Sequence, residues 1–241
     1  MKLTAASTQY VAALTEVFDQ LERATRRMVR SQRQDKLHVY SSITFTLRWL
    51  MPHLPSFHAR HPHLELQLTA ALPTASDLDG GDIDVAIQSI PPPPEMISHR
   101  LIDVEFIPVC SPKLLAEHGP LASAADLARL TLLSSSARPN DWPSWLAAAG
   151  SPGLQPRQII DFETSSLAYQ AALEGIGVAI GRRFLLTEDL ASGRLVTPFE
   201  FVLRDGSAFH VVYSPKAAAN PHVIQFRDWV FAEAGAARPV A

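Results

Sequence analysis

Only one cysteine, Cys110, occurs among the 241 residues, so no internal disulfide can form and cysteine pairing gives no argument for an oxidising compartment. No run of about 18 consecutive apolar residues occurs, which excludes a helical membrane span. The start lacks the apolar core of a secretory signal, because Met1 and Lys2 are followed by Thr4, Ser7, Thr8 and Gln9. Charge of one sign is scarce as well. With 21 basic and 24 acidic residues the net charge is -3, whereas a domain that grips nucleic acid by itself carries a clear basic excess. A serine elbow is absent. Gly175, Gly177 and Gly181 close a helix and bracket a strand, unlike a dinucleotide-binding loop, which follows a strand. These absences predict a cytoplasmic protein with no membrane partner, no direct DNA contact through these residues and no cofactor.

What is present begins with enough apolar material, 47% of residues, to bury a real core in one large domain or two small lobes. Residues 1–33 contain no proline or glycine and place Leu3, Tyr10, Leu14, Val17, Leu21, Ala24 and Met28 on one stripe. From Tyr10 onward the spacing alternates four and three, the heptad seam of a helix that pairs with another helix. Its end carries Arg23, Arg26, Arg27, Arg30 and Arg33, which suit a solvated face near a helix C-terminus.

Beyond the arm, short apolar runs alternate with helical patterns. Leu37 to Tyr40 reads as a strand, Ile43 to Arg60 as a helix bent or broken around Pro52 and Pro55, and Leu64 to Leu68 and Ile83 to Ile87 as further strands. The pattern continues with strands at Phe106 to Val109, Leu130 to Leu133, Gln158 to Phe162, Val178 to Ile180 and Phe209 to Tyr213. Helices are expected at Pro112 to His118, Ala124 to Ala128, Trp142 to Ala149, Ser165 to Leu173 and Pro221 to Ala234, the last with Asn220 as N-cap. Alternation of this kind implies α/β architecture with parallel sheets covered by helices. Two polar, proline-rich interruptions, Pro91 to Pro94 and Ser134 to Pro143, favour two lobes over one sheet.

In order, these elements resemble the LysR-type transcription regulators. Leu3-Thr4-Ala5-Ala6 is similar to the junction where that family's winged helix-turn-helix passes into its linker helix. Ser41-Ser42 with Arg48 to Leu54, Phe57 to Leu68, and Asp77-Leu78 followed by Asp82 to Ile87 resemble the first strands and helices of the family's sensing domain. Pro108-Val109-Cys110-Ser111-Pro112, and Asp161 to Ser166 running into Ala171 to Ile180, are further family strings, while Gln88 stands where a basic residue is common. Ser134 to Trp145 and Ala191 to Val196 are similar to the branch that regulates glycine cleavage and β-lactamase.

The resemblance implies a two-lobed, periplasmic-binding-protein-like (type 2) domain at 36–241, preceded by a linker and dimerisation helix at 1–33. Lobe one is expected at 36–107 and 213–241, lobe two at 108–212, with crossovers near Ile107 and Tyr213 and the effector held between the lobes. It further implies a homodimer or homotetramer that reaches promoter DNA only through an N-terminal head outside this chain. Effector binding is expected to change the angle between the lobes, and the oligomer to pass that change to DNA.

Open α/β sheets bind ligands beyond the C-terminal ends of their strands, where loops lead into helix N-termini. Ser41 and Ser42 after the first strand, and Thr164 and Ser165 in the other lobe, combine hydroxyls with free N–H groups of a first helical turn, a pairing suited to an anionic effector. Serine and threonine are equally ordinary caps. Thr74, Gln88 and Ser89 leave neighbouring strands, the last two just before a proline run that is either a rigid pocket wall or a spacer. Arg138 offers a guanidinium to a carboxylate and Trp142 a ring to an aliphatic portion, although Asn140 or Asp141 capping the next helix explains the same loop.

Other chemistries lack a pattern. His53, His58, His61 and His63 have no recognised zinc spacing. Cys110 ends an apolar strand, the setting of a structural thiol. The competing functions are a solute-binding protein for transport, which would share the fold but need export or a lipid anchor, and an enzyme, for which no nucleophile and base pair is evident.

Overall fold

The computed structural model describes residues 35–70 and 83–236, together with Tyr10, Leu14 and Val17. Those three positions of the predicted stripe are helical and exposed. The rest of the predicted linker helix, Thr74 and the Asp77-Leu78 segment lie outside the described residues.

The chain divides into two compact units. The first takes the chain up to Ser41, Ser56–His99 and the chain from His210; the second takes Ser42–Pro55 and Arg100–Phe209. The expected lobe limits are therefore displaced. Ser42–Pro55 groups with the second unit because Phe45 packs there, 4.9 Å from the Phe209 ring and 6.2 Å from that of Phe184. The chain passes between the units at Ser41 to Ser42, Pro55 to Ser56, His99 to Arg100 and Phe209 to His210, the last two inside the strands Ile97–Asp103 and Ala208–Tyr213.

The first unit is built on β1 (Lys36–Ser41), β2 (Glu65–Ala70), β3 (Val85–Gln88), β4 (Ile97–Asp103) and β9 (Ala208–Tyr213), in the order β2-β1-β3-β9-β4. β1 runs parallel to β2 and β3, and β3 antiparallel to β9. Position in the sheet explains the sequence of each strand. Central β3 is buried at every residue, whereas β1 buries only Leu37, Val39 and Ser41 in alternation, and edge strand β2 is mostly exposed. β4, another edge strand, was not foreseen: His99, Arg100 and Asp103 break its apolar run.

Helix α1 begins at Ile43–Phe45, widens into a π-turn over Thr46–Leu50 and continues over Met51–Arg60. The helix does not break at the prolines. Pro52 and Pro55 remove two N–H donors, and the helix adjusts just before them, where the Met51 N–H reaches back to the Thr46 carbonyl. Within the first unit Phe57 packs edge-on against Trp229, at 4.9 Å, and Phe226, at 5.7 Å. Trp229 Nε1 donates to Ser56 Oγ, which donates to Glu233. The helix supplying these partners (Pro221–Ala236) is capped by Asn220, whose Oδ1 accepts from the His222 N–H at 3.0 Å.

The second unit holds β5 (Phe106–Val109), β6 (Thr131–Ser135), β7 (Gln158–Phe162) and β8 (Val178–Arg182), ordered β5-β8-β6-β7. β6 is parallel to β7 and β8, and β5 antiparallel to β8. Around it lie α2 (Pro112–His118), α3 (Asp141–Ala148), α4 (Ser165–Leu173) and α5 (Thr187–Ala191). The helix expected at Ala124 to Ala128 is a 3-10 turn, Ala124–Arg129. Its core joins Ile107 and Val109 of β5, Leu133 of β6, Ala179 of β8, and Tyr169 and Ala172 of α4.

α4 meets this sheet through small residues, and Gly177 opens β8 where the backbones approach closely. A Cβ there would press into the Thr131 carbonyl oxygen. Backbone cannot yield as a flexible side chain can, so Gly177→Ala is expected to destabilise by about 1–3 kcal/mol, read from urea unfolding; wild-type stability in that variant would contradict the close approach.

Candidate functional site

At the C-terminal ends of β6 and β7 the second unit forms a small open hollow, lined by Leu133, Ser134, Ser135, Arg138, Asp141, Trp142, Ser165, Ala168 and Ile180. Its floor is apolar and its rim polar, for local reasons. After β6 the chain turns sharply: the Arg138 N–H donates to the Ser135 carbonyl at 2.7 Å and the Asp141 N–H to the Arg138 carbonyl at 3.3 Å. That turn holds Arg138 at the rim and starts α3. Trp142 then folds back, 7% exposed, with its indole N–H on the Leu133 carbonyl at 3.0 Å. Its ring wall is available to a ligand, but its donor is already used.

Several charged side chains meet around the hollow. Arg182, at the end of β8, is 4% exposed and lies over the rings of Phe106, at 5.8 Å, and Phe209, at 5.7 Å. Its backbone N–H donates to the Tyr169 hydroxyl at 3.2 Å. Its guanidinium stands 3.7 Å from Asp141 Oδ2, and among the described residues its Nε has no hydrogen-bond partner. Burial, reinforced by the like charge of Arg182, pushes Arg138 down to about 10, so it stays cationic at neutral pH. Burial also raises the carboxyl of Asp141, against the pull of Arg182 and Arg138. Ser135, 7% exposed, adds a hydroxyl with no hydrogen-bond partner.

Helix starts complete the arrangement. Ser42 caps α1, its Oγ accepting from the Phe45 N–H at 3.3 Å. Thr44 Oγ1, one residue inside α1, accepts from the Ser166 N–H in the first turn of α4 at 3.2 Å. Thr164 stands at the N-cap of α4 without a side-chain capping bond. Thr46 Oγ1 and Ser166 Oγ are buried and unpartnered.

Of the residues expected from sequence, Arg138, Trp142 and Ser165 come together at the hollow, and Thr164 immediately precedes Ser165. Ser42 belongs to the same unit, at the start of α1. Ser41, Gln88 and Ser89 gather instead at the ends of β1 and β3 in the first unit. There Ser41 Oγ is buried without a partner and Gln88 Nε2 donates to the Ile90 carbonyl at 3.3 Å. Ser135, Arg182 and Thr44 were missed, and Asp141 was read only as a cap. A sequence signal existed for Arg182, an arginine closing the otherwise apolar run Val178 to Gly181.

Buried Asp189 pairs with Arg48 and Arg194. His53 Nδ1 lies 2.6 Å from the Trp49 carbonyl oxygen, and the His61 ring packs on Phe57 at 4.9 Å.

The chain matches the family described as LysR substrate binding domain over residues 30–235. It belongs to that family. It is 32% identical over 235 residues to the glycine cleavage system transcriptional activator of Escherichia coli strain K12, covering 97% of this chain and 76% of that protein. It is 30% identical to the HTH-type transcriptional activator AmpR of Pseudomonas aeruginosa, covering 95% of this chain and 76% of AmpR. The crystal structure of the AmpR effector domain from Pseudomonas aeruginosa superposes with a TM-score of 0.71 at 31% identity, covering 84% of this chain and 96% of that one.

This chain therefore carries the effector-binding domain of a LysR-type transcriptional regulator, and the α/β, periplasmic-binding-protein-like fold with parallel-rich sheets follows. LysR regulators bind small-molecule effectors, oligomerise and bind DNA. The relatives are regulators, not enzymes, and nothing among them supports a transport protein. No helix among the described residues is long and apolar enough to cross a membrane.

Cys110 is fully buried beside β5, and burial pushes its thiol up to about 12, so almost no thiolate exists at neutral pH. Iodoacetamide at pH 8 is expected to leave the folded LysR domain unmodified and to alkylate it once in urea. Rapid alkylation of the folded protein would contradict this burial.

Proposed function

We propose that this domain senses a small anionic effector at the hollow formed by β6, β7, α3 and α4, and that the regulator's transcriptional output follows occupancy of that site. The observation that carries the reading is the meeting of a guanidinium, Arg138, with the Ser135 hydroxyl, buried and unpartnered among the described residues, and the first turn of α4 on one space. A carboxylate at the hollow is bound by Arg138, by Ser135 and by Ser165 in the first turn of α4, where the helix dipole also favours an anion. Trp142, Leu133 and Ile180 then flank the apolar part of the effector. Ser42 and Thr164 shape the adjoining helix starts.

The regulator is proposed to act in the cytoplasm as a homodimer or homotetramer. Support for self-association comes from Tyr10, Leu14 and Val17, which are helical at heptad spacing and exposed. Promoter contact is assigned to the part of the relatives that lies outside the match, since the charge of this chain, net -3, does not suit DNA.

A thermal-shift panel of short-chain carboxylates against their neutral amides tests the anion site, because a ligand that binds the native state raises its melting temperature. The acids are expected to stabilise and the amides not. Arg138→Gln removes a charge-assisted contact worth about 1.5–3 kcal/mol and is expected to weaken binding roughly ten- to a hundred-fold. Ser165→Ala should give a smaller loss. Equal shifts from acid and amide, or undiminished binding in Arg138→Gln, would place the site elsewhere.

A further inference from the structure

The first turn of α4, whose N–H groups an anion at the hollow would use, already has acceptors. The Leu167 and Ala168 N–H groups turn back on the Thr164 carbonyl, at 3.2 and 3.4 Å. A threonine at an N-cap ordinarily accepts from one of the first N–H groups with its own hydroxyl, yet the Thr164 side chain makes no such bond. The cap comes from another helix instead: Thr44 Oγ1, in the first turn of α1, accepts from the Ser166 N–H at 3.2 Å. Thr44 is buried and belongs to the same unit as α4. Two features set this bond apart from plain packing. The π-turn Thr46–Leu50 follows Ile43–Phe45 directly, so the first turn of α1 is set off from the regular helix that resumes at Met51. The hollow, whose wall includes Ser165 beside the capped N–H, has room for about one water, too little for a carboxylate until a wall moves.

We propose that Thr44 is an internal placeholder for the effector's carboxylate, holding the Ser166 N–H until the carboxylate takes that N–H and displaces it. This deepens the anion site proposed above and rests on it. The exchange swaps a neutral acceptor for an ionised one. Hydrogen bonds to ionised acceptors are roughly twice as strong as neutral ones, and the positive end of the α4 dipole favours the charged acceptor further. Losing the bond frees the first turn of α4, which forms a wall of the hollow, and the first turn of α1 together with it. The π-turn then takes up the displacement of Ile43–Phe45 without unwinding Met51–Arg60. Since α1 continues past Pro55 into the first unit, the release of Thr44 is a way for occupancy at α4 to be felt beyond the second unit.

Amide NMR of the whole chain, titrated with sodium acetate against a sodium chloride control, tests the swap at the Ser166 N–H. Thr44→Val removes the acceptor and keeps the shape, Thr44→Ala removes it without a branched side chain, and Thr44→Ser retains it. Before acetate is added, the Ser166 amide is expected to exchange with solvent faster in the valine and alanine variants than in the wild type or Thr44→Ser. Acetate is then expected to bind those two variants about two- to ten-fold more tightly than the wild type, the competition that one neutral hydrogen bond exerts, with Thr44→Ser close to the wild type. A merely structural cap would not raise the affinity when removed, and melting temperatures confirm that the variants fold. Weaker or unchanged acetate binding in both Thr44→Val and Thr44→Ala overturns the placeholder and leaves the anion site standing. Absence of any acetate-dependent shift at Ser165 and Ser166 in all four proteins overturns both.

Discussion

A guanidinium set inside an apolar core organises the polar chemistry of the second unit. Arg182 ends a strand that is otherwise apolar or glycine, and burying an ion there costs several kcal/mol unless neighbours compensate. Compensation comes in parts: two aromatic faces, an ion pair to Asp141, and a tyrosine hydroxyl on the backbone N–H of the same residue. None of these is a tight bidentate pair. The result places Asp141 beside two guanidiniums, with Arg138 pressed by a neighbour of its own sign.

The sheet makes such a site possible. Because β6 runs parallel to both β7 and β8, their C-terminal ends share one edge, and the helices that follow β6 and β7 begin there. Hydroxyls, N–H groups and guanidiniums are thereby collected at one end of a unit whose interior is apolar. The same rule places Ser41, Gln88 and Ser89 at the strand ends of the first unit, where a buried serine hydroxyl also lacks a partner.

Much of this was legible in the amino-acid order. β5, α2, β7 and α4 were found with their observed limits, because apolar runs and a Ser-Pro or Thr-Ser start are local signals. β4 was not, since an edge strand need bury little and Ile97–Asp103 carries charges along its length. α1 was expected to yield at its prolines, but a π-turn distributes the missing hydrogen bonds without ending the helix. For the site, residue types that start helices were visible, as was Arg138. The convergence of Arg182 with Asp141 was not, because it depends on β8 lying beside β6, a tertiary fact. Nor could the sequence show that the Ser135 hydroxyl would be left unpartnered.

The position of Trp142 has an optical consequence. Of the four tryptophans in the chain, Trp142 alone lines the hollow, while Trp49, Trp145 and Trp229 are buried elsewhere. Its ring is anchored by the bond to Leu133, so it reports on its surroundings and not on its own rotation. A charged guest at the proposed site would sit beside a fixed indole and perturb its emission directly, so occupancy could be followed by intrinsic fluorescence without an added label.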